Sequence, residues 1–190
     1  MKHKNQLHKK NGCFLWMFFL TSLLLSAPIF AQDSSLEYKI KAAYLYNFTK
    51  FISWPDNSSE TFDLCILGND PFGEIIDPIE TRKVKNKPIR LYYLSSVTNV
   101  ENCQIIYISQ LNEDWNPLES VEDILIINSL KNTLIVSNSK KVQQINGMIT
   151  FFLKDGKVKI QINMQAVNKS HLHISSKLLE VAEIVHGWAK

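Results

Sequence analysis

The sequence has almost no excess of charge of either sign once its first residues are set aside. Its 190 residues contain 21 Lys and Arg and 18 Asp and Glu, a formal net charge of +3. Four of the lysines and none of the acids lie in residues 1–31, so residues 32–190 carry 17 basic and 18 acidic side chains. A protein that binds nucleic acid needs a concentrated basic surface. The charge balance therefore argues against nucleic acid as a partner.

The common sequence motifs of enzymes are also lacking. The chain contains no G-x-S-x-G, no H-E-x-x-H and no G-x-x-x-x-G-K-[ST]. Residues 68–73 lie where an anion-binding loop would lie, between a predicted strand and a predicted helix, but they have no Lys, Ser or Thr and indicate a turn. His171 and His173 could share one side of a strand, yet no adjacent Cys or carboxylate completes a metal site. We therefore predict no metal, no cofactor and no enzymatic activity.

Long apolar runs are absent except near the N-terminus. Residues 2–10 are basic, residues 14–30 are mostly apolar, and Ala31 is small, which is the order found in a secretory signal peptide. The apolar run has 17 residues and includes Pro28, whereas a membrane-spanning helix needs about 20. We predict cleavage after Ala31, with an uncleaved membrane anchor as the alternative. Cleavage would leave residues 32–190 as one exported domain without a membrane span.

Cysteine is scarce. Cys13 precedes the apolar run, so only Cys65 and Cys103 remain after the predicted cleavage. Two thiols in an oxidising compartment favour one disulfide. A disulfide that closes the loop between Cys65 and Cys103 would contribute roughly 3–4 kcal/mol to the free energy of unfolding. A zinc site and a pair of buried free thiols are the alternatives.

Hydrophobic periodicity predicts strands that alternate with helices. A helix is expected from Ser35 to the pair Trp54-Pro55, and Asp155-Gly156 should form the two-residue turn of a hairpin. Strands are predicted at 62–67, 88–94, 104–108, 133–136, 148–153 and 157–162, and further helices at 72–83, 118–129 and 175–185. This order predicts a single-domain, layered α/β sandwich with a mixed, mostly parallel sheet and a C-terminal antiparallel hairpin.

Aromatic residues are concentrated in the first predicted helix. Tyr44, Phe48 and Phe51 recur at helical spacing and are expected to face the core. Tyr46 and Trp54 fit either the core or a contact surface for a partner, in which aromatic residues are enriched.

Five segments, in order, are similar to a known family. They are residues 41–55, residues 65–73, Cys103 at the start of a strand, residues 147–151, and residues 162–163 followed by 172–179. With these segments the chain resembles the YfiR-type periplasmic regulators over residues 36–186.

The resemblance implies a binding protein located in the periplasm. Its partner would be the periplasmic sensory domain of an inner-membrane diguanylate cyclase, which the regulator holds inactive and thereby lowers cyclic di-GMP and biofilm formation. The family fold is an α/β sandwich that is commonly dimeric, and Cys65 and Cys103 match the first of its cysteine pairs. The second pair found in some members is absent here. The alternative is a small-ligand receptor that serves another membrane sensor, such as a histidine kinase.

The partner contacts are expected in two regions, chosen by their pattern of exposure. One is the hairpin strand through Asn163, and the other is the segment that contains His171 and His173. Trp54 is added as an aromatic contact residue.

Overall fold

The first described element is a long helix. The computed structural model describes residues 34–109, 120–139, 142, 145 and 147–187. The predicted signal peptide and its cleavage after Ala31 lie outside the described residues. Helix α1 spans Ser34–Phe51, with Glu37 in its first turn and Leu45 and Phe48 buried, which confirms the first predicted helix. Among the described helices, none is both long enough and apolar enough to cross a membrane.

The helix packs on a large mixed sheet. Within the described residues the strands are Ile52–Ser53 (β1), Phe62–Leu67 (β2), Lys83–Val84 (β3), Lys87–Leu94 (β4), Ile105–Ile108 (β5), Leu134–Ser137 (β6), Ile149–Lys154 (β7), Lys157–Asn163 (β8), His173–Ile174 (β9) and Glu183–Val185 (β10). The large sheet has the order β10-β8-β7-β6-β5-β2-β4-β3, and β1 pairs with β9 separately. All its pairings are parallel except β7 with β8 and β3 with β4. The predicted fold class is therefore confirmed.

Shorter helical elements connect these strands. They are helices Val121–Ser129 (α2), Met164–Asn168 (α3) and Ser176–Leu179 (α4), and 3₁₀ turns at Gly73–Ile75, Asp77–Thr81 and Val100–Asn102. Helix α2 begins at a capping box, because the Ser120 hydroxyl accepts from the Asp123 N–H and the Asp123 carboxylate accepts from the Ser120 N–H. At the predicted hairpin turn, Asp155 and Gly156 both have positive φ, as a type I′ turn requires.

Two predicted helices are wrong. In place of one α-helix over 72–83, the chain forms 3₁₀ turns at Gly73–Ile75 and Asp77–Thr81. Gly73 has a φ of +51°, and Pro78 would lie in the interior of the predicted α-helix with no N–H to donate. The predicted helix 175–185 ends at Leu179, and Glu183–Val185 instead forms β10, parallel to β8. Residues 183–185 form a strand because pairing with the free edge of β8 gives hydrogen-bond partners to their backbone groups. The helical periodicity of 175–185 therefore does not determine the structure of this segment.

The strands of the sheet alternate between two cores. In β2, Phe62, Leu64 and Ile66 point to the face covered by α1, which we call the helix face, and Cys65 and Leu67 point to the opposite side, which we call the disulfide face. Strands β5 and β6 alternate in the same way. Helix α2 contributes Ile127 to the core of the disulfide face. The candidate site described next lies on the disulfide face and along the edge where the parallel strands begin.

Candidate functional site

A disulfide joins Cys65 to Cys103. Cys65 lies in β2, and Cys103 follows the 3₁₀ turn Val100–Asn102 and precedes β5. Their Cα atoms are 5.9 Å apart, a normal distance for a disulfide, and both residues are buried. The predicted bond is confirmed, so the zinc site and the free thiols no longer apply. Nor do the described residues contain a group of three or more His, Cys, Asp or Glu side chains that could hold a metal ion.

A pocket of about 470 Å³ lies beside this disulfide. Its floor is formed by Asp63 and Cys65 of β2 and by Tyr92 and Leu94 of the neighbouring β4. The segment that connects β4 to β5 forms the wall with Asn99, Asn102 and Cys103. Asn99 has a φ of +63°, a conformation that asparagine adopts more readily than most residues, and it begins the turn that leads to Cys103.

Asp63 supplies the buried charged group of the pocket. Its backbone is held by Gln104 on both sides: the Asp63 N–H donates to Gln104 Oε1 at 2.6 Å, and the Asp63 carbonyl accepts from the Gln104 N–H at 2.8 Å. The residue as a whole is 9% exposed, and its Oδ1 atom is buried without a hydrogen-bond partner. Arg90 is the residue opposite Asp63 in β4, but no ion pair joins the two within the described part of the chain.

Trp54, one of the predicted contact residues, is half-buried against the start of the sheet. Its indole Nε1–H donates to the Gln104 carbonyl at 2.9 Å, and its ring meets Phe62 edge-on at 5.0 Å between centroids. Tyr46 is also half-buried, and the charged groups of Lys50 and Arg82 lie over its ring at 4.3 and 5.7 Å. Both aromatic residues therefore pack partly in the core and keep part of their surface outside it.

The two predicted histidines are exposed and lie at the same edge as Trp54. His173 in β9 is paired with Ser53 in β1, the residue before Trp54. The His171 N–H donates to the Lys131 carbonyl at 2.9 Å, and its Nδ1 lies 2.7 Å from Asn132 Oδ1. Lys131 and Asn132 lie two to three residues before the start of β6. Trp54, His171 and His173 thus lie along the edge where the parallel strands begin, and we call these three residues the strand-start edge.

Asn163 ends β8 at the same edge of the sheet, because β8 runs antiparallel to β7, but its side chain has a structural role. It is 4% exposed, and its Oδ1 accepts from the N–H groups of Gln165 and Ala166 at the start of α3. The side chain is an N-cap, which explains why an asparagine stands at the end of β8. Asn163 therefore presents no surface to a partner, and we exclude it from the contact residues.

A family comparison covers most of this structure. The model of the YfiR/HmsC-like family matches residues 38–183, which include both cysteines, Trp54 and both histidines of the strand-start edge. The chain belongs to the YfiR/HmsC-like family. This is a family of periplasmic regulators of cyclic di-GMP signalling, and it is regulatory, not catalytic. A comparison with individual curated proteins found no match.

Two exposed tyrosines of this YfiR/HmsC-like protein were missed by the sequence analysis. Tyr92 and Tyr93 on β4 are 45% and 51% exposed, on opposite faces of the sheet. Partial burial, together with the negative charges of Asp70, Asp77 and Glu80, raises the pKa of Tyr93 above its usual value. The sequence contains a signal for this exposure in the run from Ile89 to Leu94. Because successive side chains of a strand point to opposite faces, the adjacent Tyr92 and Tyr93 cannot both face the same core.

A buried polar cluster on the helix face was also missed. The Lys41 ammonium is paired with the Glu37 carboxylate one helical turn earlier and lies 4.6 Å from the centroid of the Tyr38 ring. Tyr107 of β5 is fully buried, and its hydroxyl has no hydrogen-bond partner. Burial raises the pKa of Tyr107, and the nearby Tyr38 and Glu37 raise it further.

Proposed function

We propose that the protein is a periplasmic repressor that binds the sensory domain of a membrane-anchored diguanylate cyclase and holds the cyclase inactive. The observation that carries this proposal is the match to the YfiR/HmsC-like family over residues 38–183. The protein acts by recognition and catalyses no reaction. It binds the inactive arrangement of the partner more tightly than the active one, and a shift from 1% to 99% inactive requires a difference of about 5.5 kcal/mol between the two affinities.

The strand-start edge is the proposed contact surface. Trp54 provides a half-buried aromatic surface, and His171 and His173 provide exposed imidazoles on a rigid support. Support for this choice comes from the hydrogen bonds beneath these residues, because Trp54 and His171 are each tied to a backbone carbonyl, of Gln104 and of Lys131. A contact residue that is already held in place loses less conformational entropy when a partner binds.

The disulfide would support this edge from below. Cys103 immediately precedes Gln104, whose carbonyl accepts from the Trp54 indole and from the Leu134 N–H. Reduction of the bond would free the segment that leads into β5 and loosen the position of Trp54. We therefore propose that reduction of Cys65–Cys103 weakens partner binding and releases the cyclase.

A complementation experiment tests the contact surface. Deleting the gene in its host should raise cyclic di-GMP, and wild-type protein should restore the original level. The double variant His171→Ala/His173→Ala should fail to restore it, although it reaches the same folded amount in the periplasmic fraction. His186→Ala is the matched control, because this exposed histidine follows β10, the outermost strand, three places across the sheet from β6, beside which His171 is held.

The outcomes separate the parts of the proposal. An unchanged cyclic di-GMP level after deletion would rule out the cyclase as the target and favour a different membrane sensor. Full restoration by the double variant would show that the strand-start edge is not the contact surface. Full repression by the double variant Cys65→Ala/Cys103→Ala would exclude control by the disulfide.

A further inference from the structure

We propose that a basic surface at the end of α1 and the β3–β4 hairpin binds the anionic phospholipid surface of a membrane. This surface, which we call the basic patch, consists of the side chains of Lys50, Arg82, Lys85 and Lys87. Membrane docking goes beyond the proposed partner contact and does not depend on it, because none of these four residues belongs to the strand-start edge.

The charge of the domain is unevenly distributed along the chain. Residues 82–90 contain five of the 17 basic side chains of residues 32–190 and none of the 18 acidic ones. The remainder therefore has 12 basic and 18 acidic side chains, a net charge of −6. The near neutrality of the whole domain thus conceals a short, strongly basic segment. Such a separation of charge turns the basic side of a protein toward an anionic surface.

Helix α1 and the segment before β3 contribute to the patch together. The Lys50 ammonium, at the end of α1, and the Arg82 guanidinium lie over the same ring, at 4.3 and 5.7 Å from the centroid of Tyr46. Both charged residues are exposed. The tyrosine therefore holds two cations from separate elements at one surface.

The two lysines of the hairpin continue this surface. Lys85 and Lys87 line a cleft together with Trp54 and with Thr49, which lies near the end of α1. Lys85 is exposed, whereas Lys87 is half-buried and donates to the carbonyl and side-chain oxygens of Asn57. The patch is thus continuous from the end of the helix to the turn of the hairpin.

The cations of the patch have little compensating charge. Lys85 lies 3.9 Å from an oxygen of Asp56, and both side chains are exposed. An exposed ion pair of this kind contributes little. Lys50, Arg82 and Lys87 take part in no ion pair within the described residues. Their charges are therefore available to an anionic partner.

The turn of the hairpin does not itself require a lysine. Lys85 and Asn86 both have positive φ, +47° and +70°, as in a type I′ turn. Asparagine and glycine adopt this conformation more readily than lysine does. Lysines on edge strands discourage the pairing of sheets, but Lys85 lies in the turn and Lys50 lies on a helix. These two positions favour a role for the charge itself.

A membrane fits the basic patch better than an acidic protein segment does. The cations come from separate elements and are mostly exposed, so they suit many mobile phosphate groups more than one fixed carboxylate. Tyr46 and Trp54 keep part of their surface outside the core beside these cations. Tyrosine and tryptophan next to basic residues are typical of surfaces at the membrane–water interface. Because the family acts in the periplasm, a phospholipid surface is within reach.

Flotation with lipid vesicles tests the proposal. Protein purified from the periplasmic fraction should float with vesicles of equal parts phosphatidylglycerol and phosphatidylcholine, and should not float with pure phosphatidylcholine. High salt should release it, because salt screens the attraction. Lys50→Gln/Lys85→Gln should bind at least about tenfold more weakly, since each cation near an anionic surface contributes about fivefold to the affinity.

Lys157→Gln/Lys159→Gln is the matched control. It removes the same two charges from exposed lysines of β8. These lysines lie toward the opposite end of the sheet, because β7 runs parallel to β6 and β8 begins where β7 ends. The control should keep the affinity of the wild type. Equal weakening by the two double variants would show that only net charge matters and would overturn the basic patch.

The remaining outcomes decide the occupant. Failure of the wild type to float with the phosphatidylglycerol vesicles, or equal flotation with pure phosphatidylcholine, would overturn membrane docking. If vesicles fail while a decaglutamate peptide binds the wild type and not Lys50→Gln/Lys85→Gln, the patch takes an acidic protein segment and the proposed occupant is wrong. The variants leave Trp54, His171 and His173 unchanged, so these results are independent of the test of the strand-start edge.

Discussion

The two faces of the sheet are stabilised in different ways. On the helix face, 24 buried residues of the described chain form one core, whereas 11 form the core of the disulfide face. The larger core contains a chain of aromatic contacts, in which Phe48 stacks on Phe151 at 6.1 Å and Phe72 meets Tyr107 edge-on at 4.9 Å. The smaller core contains the Cys65–Cys103 disulfide.

The helix face contributes mainly to stability, whereas the disulfide face also contains a pocket. On the helix face, Leu45 and Phe48 of α1 are fully buried in the larger core, where they serve packing. The disulfide face leaves Tyr92 of β4 exposed, and the Cys65–Cys103 bond holds the connection that forms the wall of the pocket. A crosslink can fix a segment that buries too little apolar surface to stay in place by packing.

The largest expected effect comes from opening the core of the helix face. Phe48→Ala removes a fully buried ring that contacts Tyr44 and Phe151, so the free energy of unfolding should fall by about 3–5 kcal/mol. Urea denaturation followed by circular dichroism measures this loss. Leu125→Ala is the control on α2, where the side chain is 62% exposed and the change should be within about 0.5 kcal/mol. Comparable losses for the two variants would contradict the account of the helix face.

An intermediate effect is expected on the disulfide face. Cys65→Ala/Cys103→Ala removes the crosslink between residues 38 positions apart and should lower the free energy of unfolding by about 3 kcal/mol. Reduction of the wild type with dithiothreitol should give a loss of similar size. A loss clearly greater than that of Phe48→Ala would reverse the comparison and make the disulfide the main support of the fold. No loss would mean that the pocket wall stays in place without the bond.

The sequence predicted the helix face well because local pattern and burial agree there. The spacing of Tyr44, Phe48 and Phe51 indicates a helix, and the apolar runs of β2 and β5 indicate central strands. Part of the strand-start edge could be predicted, since exposure patterns identified His171 and His173 and their alternation indicated that both imidazoles lie on one side of a strand. Their proximity to Trp54 depends on the pairing of β1 with β9, which links residues 120 positions apart in sequence.

The missed features depend on contacts that no local pattern contains. The periodicity at 175–185 fits a helix, but the free edge of β8 takes residues 183–185 as a strand. Asn163 resembled a surface residue, and only the presence of α3 makes it a cap. Asp63 lies in an apolar strand, and whether its carboxylate meets water, an arginine or a pocket is decided by β4 and the connection that follows it.

The smallest effect is expected from removing a buried polar group on the helix face. Tyr107→Phe removes a buried hydroxyl that has no hydrogen-bond partner. Leaving such a group buried costs free energy, so the variant should equal the wild type at pH 7 or exceed it in stability by about 1 kcal/mol. Thermal unfolding at pH 7 measures the difference. A variant less stable by more than about 1 kcal/mol would show that the hydroxyl makes a stabilising contact.

The free energy of unfolding at alkaline pH provides a second measurement of the effect of Tyr107→Phe. Burial raises the pKa of Tyr107 in the folded protein, whereas the unfolded chain releases this proton near pH 10. Above pH 10 the unfolded state therefore binds fewer protons than the native state, and the free energy of unfolding of the wild type falls as pH rises, by at most about 1.4 kcal/mol per pH unit. Tyr107→Phe lacks this contribution, while Tyr38 and Tyr93 titrate in both proteins. The stability difference in favour of the variant should thus widen between pH 10 and pH 11, and a constant difference would show that Tyr107 ionises in the folded state as readily as in the unfolded chain.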